Sequence, residues 1–139
     1  MSGEKGLRMY RYELSPRYAE TDAMGHINNT VPPVWLEKAR DPIFELFMPG
    51  RDLSKANLIT VKYMIEFHDE IRYEHEVAIF TAIAEIGNAS FTVTQRIVQN
   101  DTLRATGQTT LVHFDYRNKK AAPIPDDIRA RLREMMGGG

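Results

Sequence analysis

A carboxylate that could act as a nucleophile, or activate one, stands near the start of the chain, in the run Glu20-Thr21-Asp22-Ala23-Met24-Gly25. Asp and Gly favour turns, so this run is predicted to be a loop that carries Asp22. A carboxylate in that position can act as a nucleophile or as a general base. Glu20 shares the loop, and two nearby carboxylates can raise the pKa of one of them. The alternatives are that Glu20 is merely solvated and that Asp22, standing before a helix, is only a cap or a solvated turn residue.

A helix is predicted directly after this loop and must position it. Asn28, Asn29 and Thr30 are capping residue types, and Pro32-Pro33 fit a first helical turn. Pro42 predicts a kink near Arg40-Asp41, or an end and a restart. Unpaired amides at the start of such a helix suit a substrate carbonyl that gains negative charge. The buried side of the helix is predicted from apolar residues at helical spacing, which are Val31, Trp35, Ala39, Ile43 and Leu46.

The rest of the chain favours strands. Alternating or apolar runs predict strands within residues 9–14, 59–68, 77–84, 91–97 and 103–116. Gly107 is a possible bulge or point of close approach, and Asn100-Asp101 a reverse turn. Asp126 is predicted to cap a short helix that runs to Met135. One helix followed by strands is α+β ordering, in which a twisted antiparallel sheet can curl around the helix.

Composition narrows the class of protein. A length of 139 residues predicts one domain, with loose termini at 1–8 and 136–139. The net charge of -1 lacks the basic footprint of a dedicated nucleic-acid binder, and no apolar run is long enough to cross a membrane. We therefore expect a cytoplasmic protein with neither of these partners. No metal is expected, because the chain has no cysteine and His68, Asp69, Glu70 and His75 lack a recognised ligand spacing.

The run Thr21-Asp22-Ala23-Met24-Gly25-His26-Ile27-Asn28-Asn29, followed by Trp35-Leu36-Glu37-Lys38-Ala39-Arg40, resembles a family signature. It looks like that of the hotdog-fold acyl-CoA thioesterases of the 4-hydroxybenzoyl-CoA thioesterase family. The resemblance continues through residues 67–77, 86–91, 111–116 and 123–125, and so spans nearly the whole chain. It implies a single hotdog domain, with a long helix wrapped by a curled antiparallel sheet of about five strands. It also implies a homodimer or homotetramer with each active site between two subunits.

The resemblance further implies hydrolysis of an acyl-CoA thioester to a carboxylic acid and free coenzyme A. Asp22 would be the nucleophile or general base, and a helix-start backbone amide near Asn29 would hold the oxyanion. We expect the substrate to be bound by the neighbouring residues Gly25, His26, Asn28 and Thr30. No cofactor is expected, because coenzyme A is part of the substrate. Pro32-Pro33 departs from the aromatic residue that relatives often carry at this point.

Two other functions stay open. One is a hotdog enoyl-CoA hydratase with Asp22 and His26 as an acid-base pair, although the hydratases in question place their His one residue further along. A His26 that only shapes the loop is the structural alternative. The other function is a non-catalytic module that binds acyl-CoA or an acyl carrier, because a fold does not guarantee turnover.

Overall fold

The sheet is built from five long antiparallel strands in a computed structural model that describes residues 9–136. The strands pair in the order β1-β3-β4-β5-β2, so β1 and β2 are its edges. A two-residue β6 (Lys120–Ala121) pairs with β5. The predicted α+β class and curled sheet of about five strands are confirmed. The bounds of the long strands are β1 Tyr10–Leu14, β2 Leu58–Phe67, β3 Val77–Ile86, β4 Ser90–Gln99 and β5 Thr102–Asp115.

Three α-helices accompany the sheet in the described part of the chain: α1 Pro32–Ala39, α2 Asp41–Phe47 and α3 Asp126–Glu134. The predicted break near Arg40-Asp41 is confirmed, because α1 ends and α2 begins on either side of Arg40. The proline pair opens α1 as expected, but no side chain caps this helix and Val31 stands at the cap position. The expectation of an Asn28, Asn29 or Thr30 cap is therefore wrong. Across residues 9–136, no helix combines the length and the apolar character needed to span a membrane.

The start of α3 differs from expectation. Asp126 is the first residue of α3 and Pro125 holds the cap position, so Asp126 does not cap the helix. The loose termini expected at 1–8 and 136–139 lie outside the described residues apart from Met136. That residue pairs with Ile83 in an isolated parallel bridge.

The core lies between the helices and one face of the sheet. Strand residues alternate between this inner face and an outer face. Phe47 of α2 stacks on Phe91 of β4 with ring centroids 5.3 Å apart. A second group of buried side chains surrounds α1 and consists mainly of Trp35, Leu36, Ala39, Val77, Ile79, Ile97 and Ala105.

Gly107 is the point of close approach that the sequence predicted. A Cβ atom on this residue would lie 2.8 Å from Cδ1 of Leu36, closer than side-chain carbons normally approach. The absence of a side chain at this position of β5 therefore lets Leu36 of α1 pack directly on the sheet.

The outer face of β3 is covered differently from the inner face. Phe80 lies between the guanidinium groups of Arg11 and Arg96, each 5.2 Å from the centre of its ring. Cations over an aromatic face are attracted by its quadrupole. This stacking covers part of the second apolar face of the strand within one chain.

A buried amide fastens α1 to the sheet where the helix breaks. The Arg40 backbone N–H turns to the Glu37 carbonyl at 3.0 Å, so the Leu36 carbonyl is left without its usual helical donor. Nε2 of Gln95 donates to that carbonyl at 2.9 Å and to Oγ1 of Thr81 at 3.0 Å. Its Oε1 accepts from Nη1 of Arg40 at 3.1 Å. Gln95 is only 2% exposed, so these bonds form away from water.

We predict that Gln95→Leu lowers the free energy of unfolding by about 2–4 kcal/mol, because it leaves the Leu36 carbonyl and the Arg40 guanidinium with buried unmade bonds. Urea denaturation measures this loss. Thr94→Val, on the opposite face of the same strand, is the control and should change the value by less than about 1 kcal/mol. Equal stability of the two variants would contradict the fastening role.

Candidate active site

The Asp22 loop is closed by the backbone. Thr21 pairs with Ile27 in an isolated antiparallel bridge, and the Asp22 N–H donates to the His26 carbonyl at 2.8 Å. Gly25 has a φ of 81°. This left-handed conformation strains any residue with a Cβ, which accounts for glycine at this point of the loop.

The carboxylate of Asp22 is anchored through one oxygen. Its Oδ1 accepts from the backbone N–H of Met24 at 2.8 Å and of His26 at 3.2 Å. No donor of residues 9–136 is hydrogen-bonded to Oδ2. The loop therefore orients the side chain and leaves its second oxygen available to a ligand.

Asp22 lines a cavity of about 520 Å³ together with His26, Ile27 and Asn29. The facing wall is formed by residues 67–71, which include the last residue of β2. Of the predicted site residues, the structure thus brings Asp22, His26 and Asn29 to one cavity. The other three, Gly25, Asn28 and Thr30, belong to the same segment but do not line it.

The side chain of Asn28 shapes the turn that follows the loop. Its Oδ1 accepts from the backbone N–H and the hydroxyl of Thr30, at 2.9 and 2.8 Å. Its carbonyl accepts from the Val31 N–H, and its own N–H donates to the Glu20 carbonyl, both at 2.9 Å. Between these bonded amides, the Asn29 N–H has no acceptor among the described residues. An unpaired amide therefore stands beside the Asp22 cavity.

The start of α1 itself supplies no such donor. Pro32 and Pro33 have no N–H, and the N–H groups of Val34 and Trp35 both donate to the Val31 carbonyl at 2.9 and 3.3 Å. The oxyanion donor expected from a helix-start amide near Asn29 is therefore not in the first helical turn itself. The available amide lies in the turn before the helix.

Glu20 is buried, so the interpretation of a solvated side chain is wrong. It is 9% exposed, and its Oε2 accepts from the indole N–H of Trp35 at 3.1 Å. Its Oε1 accepts from the Arg17 backbone N–H at 2.7 Å. Trp35 is the only tryptophan, and a buried indole needs an acceptor, which is the signal that could have identified Glu20. Glu20 thereby ties the Asp22 loop to α1.

The imidazole of His26 points to a different carboxylate from Asp22. Its Nε2 lies 2.6 Å from Oε2 of Glu70, whose other oxygen lies 3.7 Å from Nη1 of Arg72. His26 contacts Asp22 through its backbone N–H. This arrangement favours the structural role of His26, since its ring is occupied in holding the loop to residues 70–72.

The potential metal ligands near the cavity are engaged with protein groups. Nε2 of His68 lies 3.0 Å from Oγ1 of Thr106, and Asp69 lies 3.5 Å from Nη1 of Arg104. In the part of the chain that the structure describes, no three His, Asp or Glu side chains gather where an ion could be held.

We predict that Glu20→Gln lowers the free energy of unfolding by about 1–3 kcal/mol, because the new amide group points a donor at the Arg17 or Trp35 N–H. Thermal denaturation and the emission spectrum of Trp35, the sole tryptophan, measure the effect. Glu85→Gln removes an exposed carboxylate and is the matched control. Unchanged stability and emission in Glu20→Gln would show that this carboxylate does not hold the helix.

Comparison with known proteins shows what this chain resembles. The model of the thioesterase-like superfamily matches residues 16–132. A solved structure described as a predicted thioesterase from Bacillus stearothermophilus is 37% identical. The match covers 94% of this chain and 98% of that chain, with a TM-score of 0.91.

More distant relatives were also found. A thioesterase from Thermus thermophilus, solved in complex with coenzyme A and Zn, is 24% identical with a TM-score of 0.82 and shares the fold. That match covers 97% of this chain and 98% of the other. The uncharacterized protein YsmA of Bacillus subtilis (strain 168) is 22% identical over 81 residues, or 58% of this chain. The chain matches 55% of the length of this curated relative.

Proposed function

The chain belongs to the thioesterase-like superfamily, and from this premise we propose that it hydrolyses an acyl-CoA thioester to a carboxylic acid and free coenzyme A. The observation that carries the proposal is one cavity lined by Asp22, whose carboxylate is anchored through one oxygen, and by Asn29, whose N–H has no acceptor within residues 9–136. The coenzyme A bound in the Thermus thermophilus structure supports the proposal that coenzyme A is the thiol of the substrate. Within the superfamily, the Asp22 motif supports the 4-hydroxybenzoyl-CoA thioesterase family.

In the first form of the mechanism, Oδ2 of Asp22 attacks the thioester carbonyl carbon. The C–S bond breaks, coenzyme A leaves as a thiolate, and water then hydrolyses the acyl-aspartate anhydride. In the second form, Asp22 takes a proton from water, and the hydroxide attacks the same carbon. Water ends as the hydroxyl of the acid and the proton of the thiol in both forms.

Both forms place negative charge on the carbonyl oxygen, and the Asn29 N–H is the proposed donor to it. The other motif residues hold this pair in place. Gly25 allows the loop its left-handed turn, His26 donates its backbone N–H to Asp22, and Asn28 and Thr30 fix the turn around Asn29. We propose that these four residues contribute to substrate binding by fixing the backbone of the loop and of the turn around Asn29.

The geometry gives less support to the alternatives. A hydratase needs the imidazole of His26 free to exchange a proton with the substrate, whereas this residue lines the Asp22 cavity with its Nε2 against Glu70. A non-catalytic binding module needs no oriented carboxylate, whereas Oδ1 of Asp22 is fixed by two backbone donors. Hydrolysis uses both the carboxylate and the free amide.

Asp22→Asn should lower kcat by at least about 100-fold, because the amide is neither a nucleophile nor a base. Release of free thiol from a panel of acyl-CoA substrates measures the rate. Asp101→Asn, in the exposed turn between β4 and β5, should keep full activity.

The same panel separates the three functions. Loss of enoyl absorbance without thiol release would identify a hydratase, and binding without either reaction would identify a binding module. Near-normal turnover by Asp22→Asn would remove Asp22 from the mechanism.

We also propose a cytoplasmic homodimer or homotetramer with shared sites. β2 is an edge strand, and an unpaired edge with exposed apolar side chains favours association. Phe67 of this strand lines the Asp22 cavity, so a partner on the edge would border the site. The exposed large apolar residues of β2 are Val61, Tyr63, Met64 and Phe67.

We predict that sedimentation at micromolar concentration shows no stable monomer, and that Val61→Glu shifts the protein toward monomers by placing a charge on the edge. Activity per chain should fall with the dimer. Leu103→Glu, an exposed apolar position on β5, is the control and should leave the assembly intact. A monomer with full specific activity on dilution would contradict the shared site.

A further inference from the structure

A second groove, of about 320 Å³, runs between α1 and the edge strand β2. Its helix side is formed by residues of the first two turns of α1 and by Arg40 at the helix end. Its strand side carries residues that point toward the helix. The lining residues that matter here are Pro33, Leu36, Arg40, Tyr63, Ile65 and Thr109.

The residues that line this groove follow closely along the chain on those that line the Asp22 cavity, on both its strand side and its helix side. On the strand side, Phe67 lines the cavity and Ile65 lines the groove, and residues two apart share one face of a strand. On the helix side, Asn29 lines the cavity and Pro33 opens the groove. From the start of α1 to Arg40 the helix rises by about 12 Å. A chain bound at Asp22 can therefore extend along apolar walls toward Arg40.

Arg40 is a buried cation whose contacts within hydrogen-bonding or stacking distance, among the described residues, are to neutral groups, which include the Phe44 ring at 5.9 Å. It is 7% exposed, and its Nη1 donates to two neutral oxygens, of Gln95 at 3.1 Å and Thr109 at 3.3 Å. Its Nε is buried with no hydrogen-bond partner among residues 9–136, and no described carboxylate forms a salt bridge with it. Burial lowers the pKa of Arg40 below its ordinary value, and the carboxylate of Glu37 opposes that shift. A guanidinium still stays charged near neutral pH.

An unpaired buried charge is costly, and a carboxylate is the group that a guanidinium binds best. We propose that the groove receives the acyl chain of the thioester and that Arg40 pairs with a carboxylate at the far end of this chain. The substrate class is then the coenzyme A thioester of a dicarboxylic acid. This inference rests on the proposed function. Glu37 lies on the same groove and repels such a carboxylate, so the two side chains have opposite effects on its binding.

The test compares pairs of acyl-CoA substrates of equal chain length, one ending in a methyl group and one in a carboxylate, over a series of lengths. At the length that reaches Arg40, wild-type kcat/KM should be about 10-fold or more higher for the carboxylate. Arg40→Met should remove this preference by raising KM for the carboxylate substrate alone. Equal kcat/KM values at every length would overturn the inference and leave thioester hydrolysis standing.

Two further measurements keep the test decisive. Should Arg40→Met fail to fold, Glu37→Gln replaces it, and KM for the carboxylate substrate should fall while KM for its methyl partner stays constant. An unchanged ratio in Glu37→Gln would contradict the pairing. Should wild-type protein hydrolyse no acyl-CoA, the proposed function fails, and calorimetric binding of the same pairs then decides about the groove. Tighter binding of the carboxylate substrate than of its methyl partner supports the pairing with Arg40. Equal binding overturns it, which is the result expected if an acidic group of a second copy of the chain already pairs with Arg40.

Discussion

The position of the first helix depends on a hydrogen bond that the helix itself cannot make. Pro42 has no N–H, and the Arg40 N–H turns to the Glu37 carbonyl, so the regular ladder stops and the Leu36 carbonyl is left inside the protein. A buried carbonyl without a partner is strongly destabilising. Gln95 supplies the donor from the middle of β4 and accepts from Arg40 in return. The carbonyl that the helix break leaves unbonded is therefore the group through which Gln95 attaches the helix to the sheet.

A second buried hydrogen bond connects the start of α1 to the loop that carries Asp22. Trp35, in the first turn of the helix, donates to Glu20, and the Glu20 carbonyl accepts from the Asn28 N–H. The loop that carries Asp22 and the turn that exposes the Asn29 amide therefore share one support. Neither Glu20 nor Trp35 lines the Asp22 cavity. Their contribution to a reaction would be the geometry of the two groups that do line it.

Periodicity predicted the helices and strands well because an element that buries one face carries apolar residues at the spacing of that face. The five strands, the helix break at Pro42 and the close approach at Gly107 all follow from such local rules. The errors arose where a side chain had a local competitor. Asn28 has the chemistry of a helix cap, but its side chain bonds the Thr30 amide and closes a turn instead. Burial of Glu20 and Arg40 depends on partners 15 and 55 residues away, which spacing along one helix or loop cannot reveal.

The proline pair at the start of α1 has a consequence for where an oxyanion can be held. Two prolines remove two amide donors from the first turn, and Val31 accepts the next two, so the helix end offers its dipole without a free N–H. The donor must then come from the preceding turn, where the Asn29 N–H is unpaired among the described residues. Its direction is set by the hydrogen bonds of Asn28 on either side. The identity of the side chain therefore matters more at position 28, which builds the turn, than at position 29, which contributes its backbone.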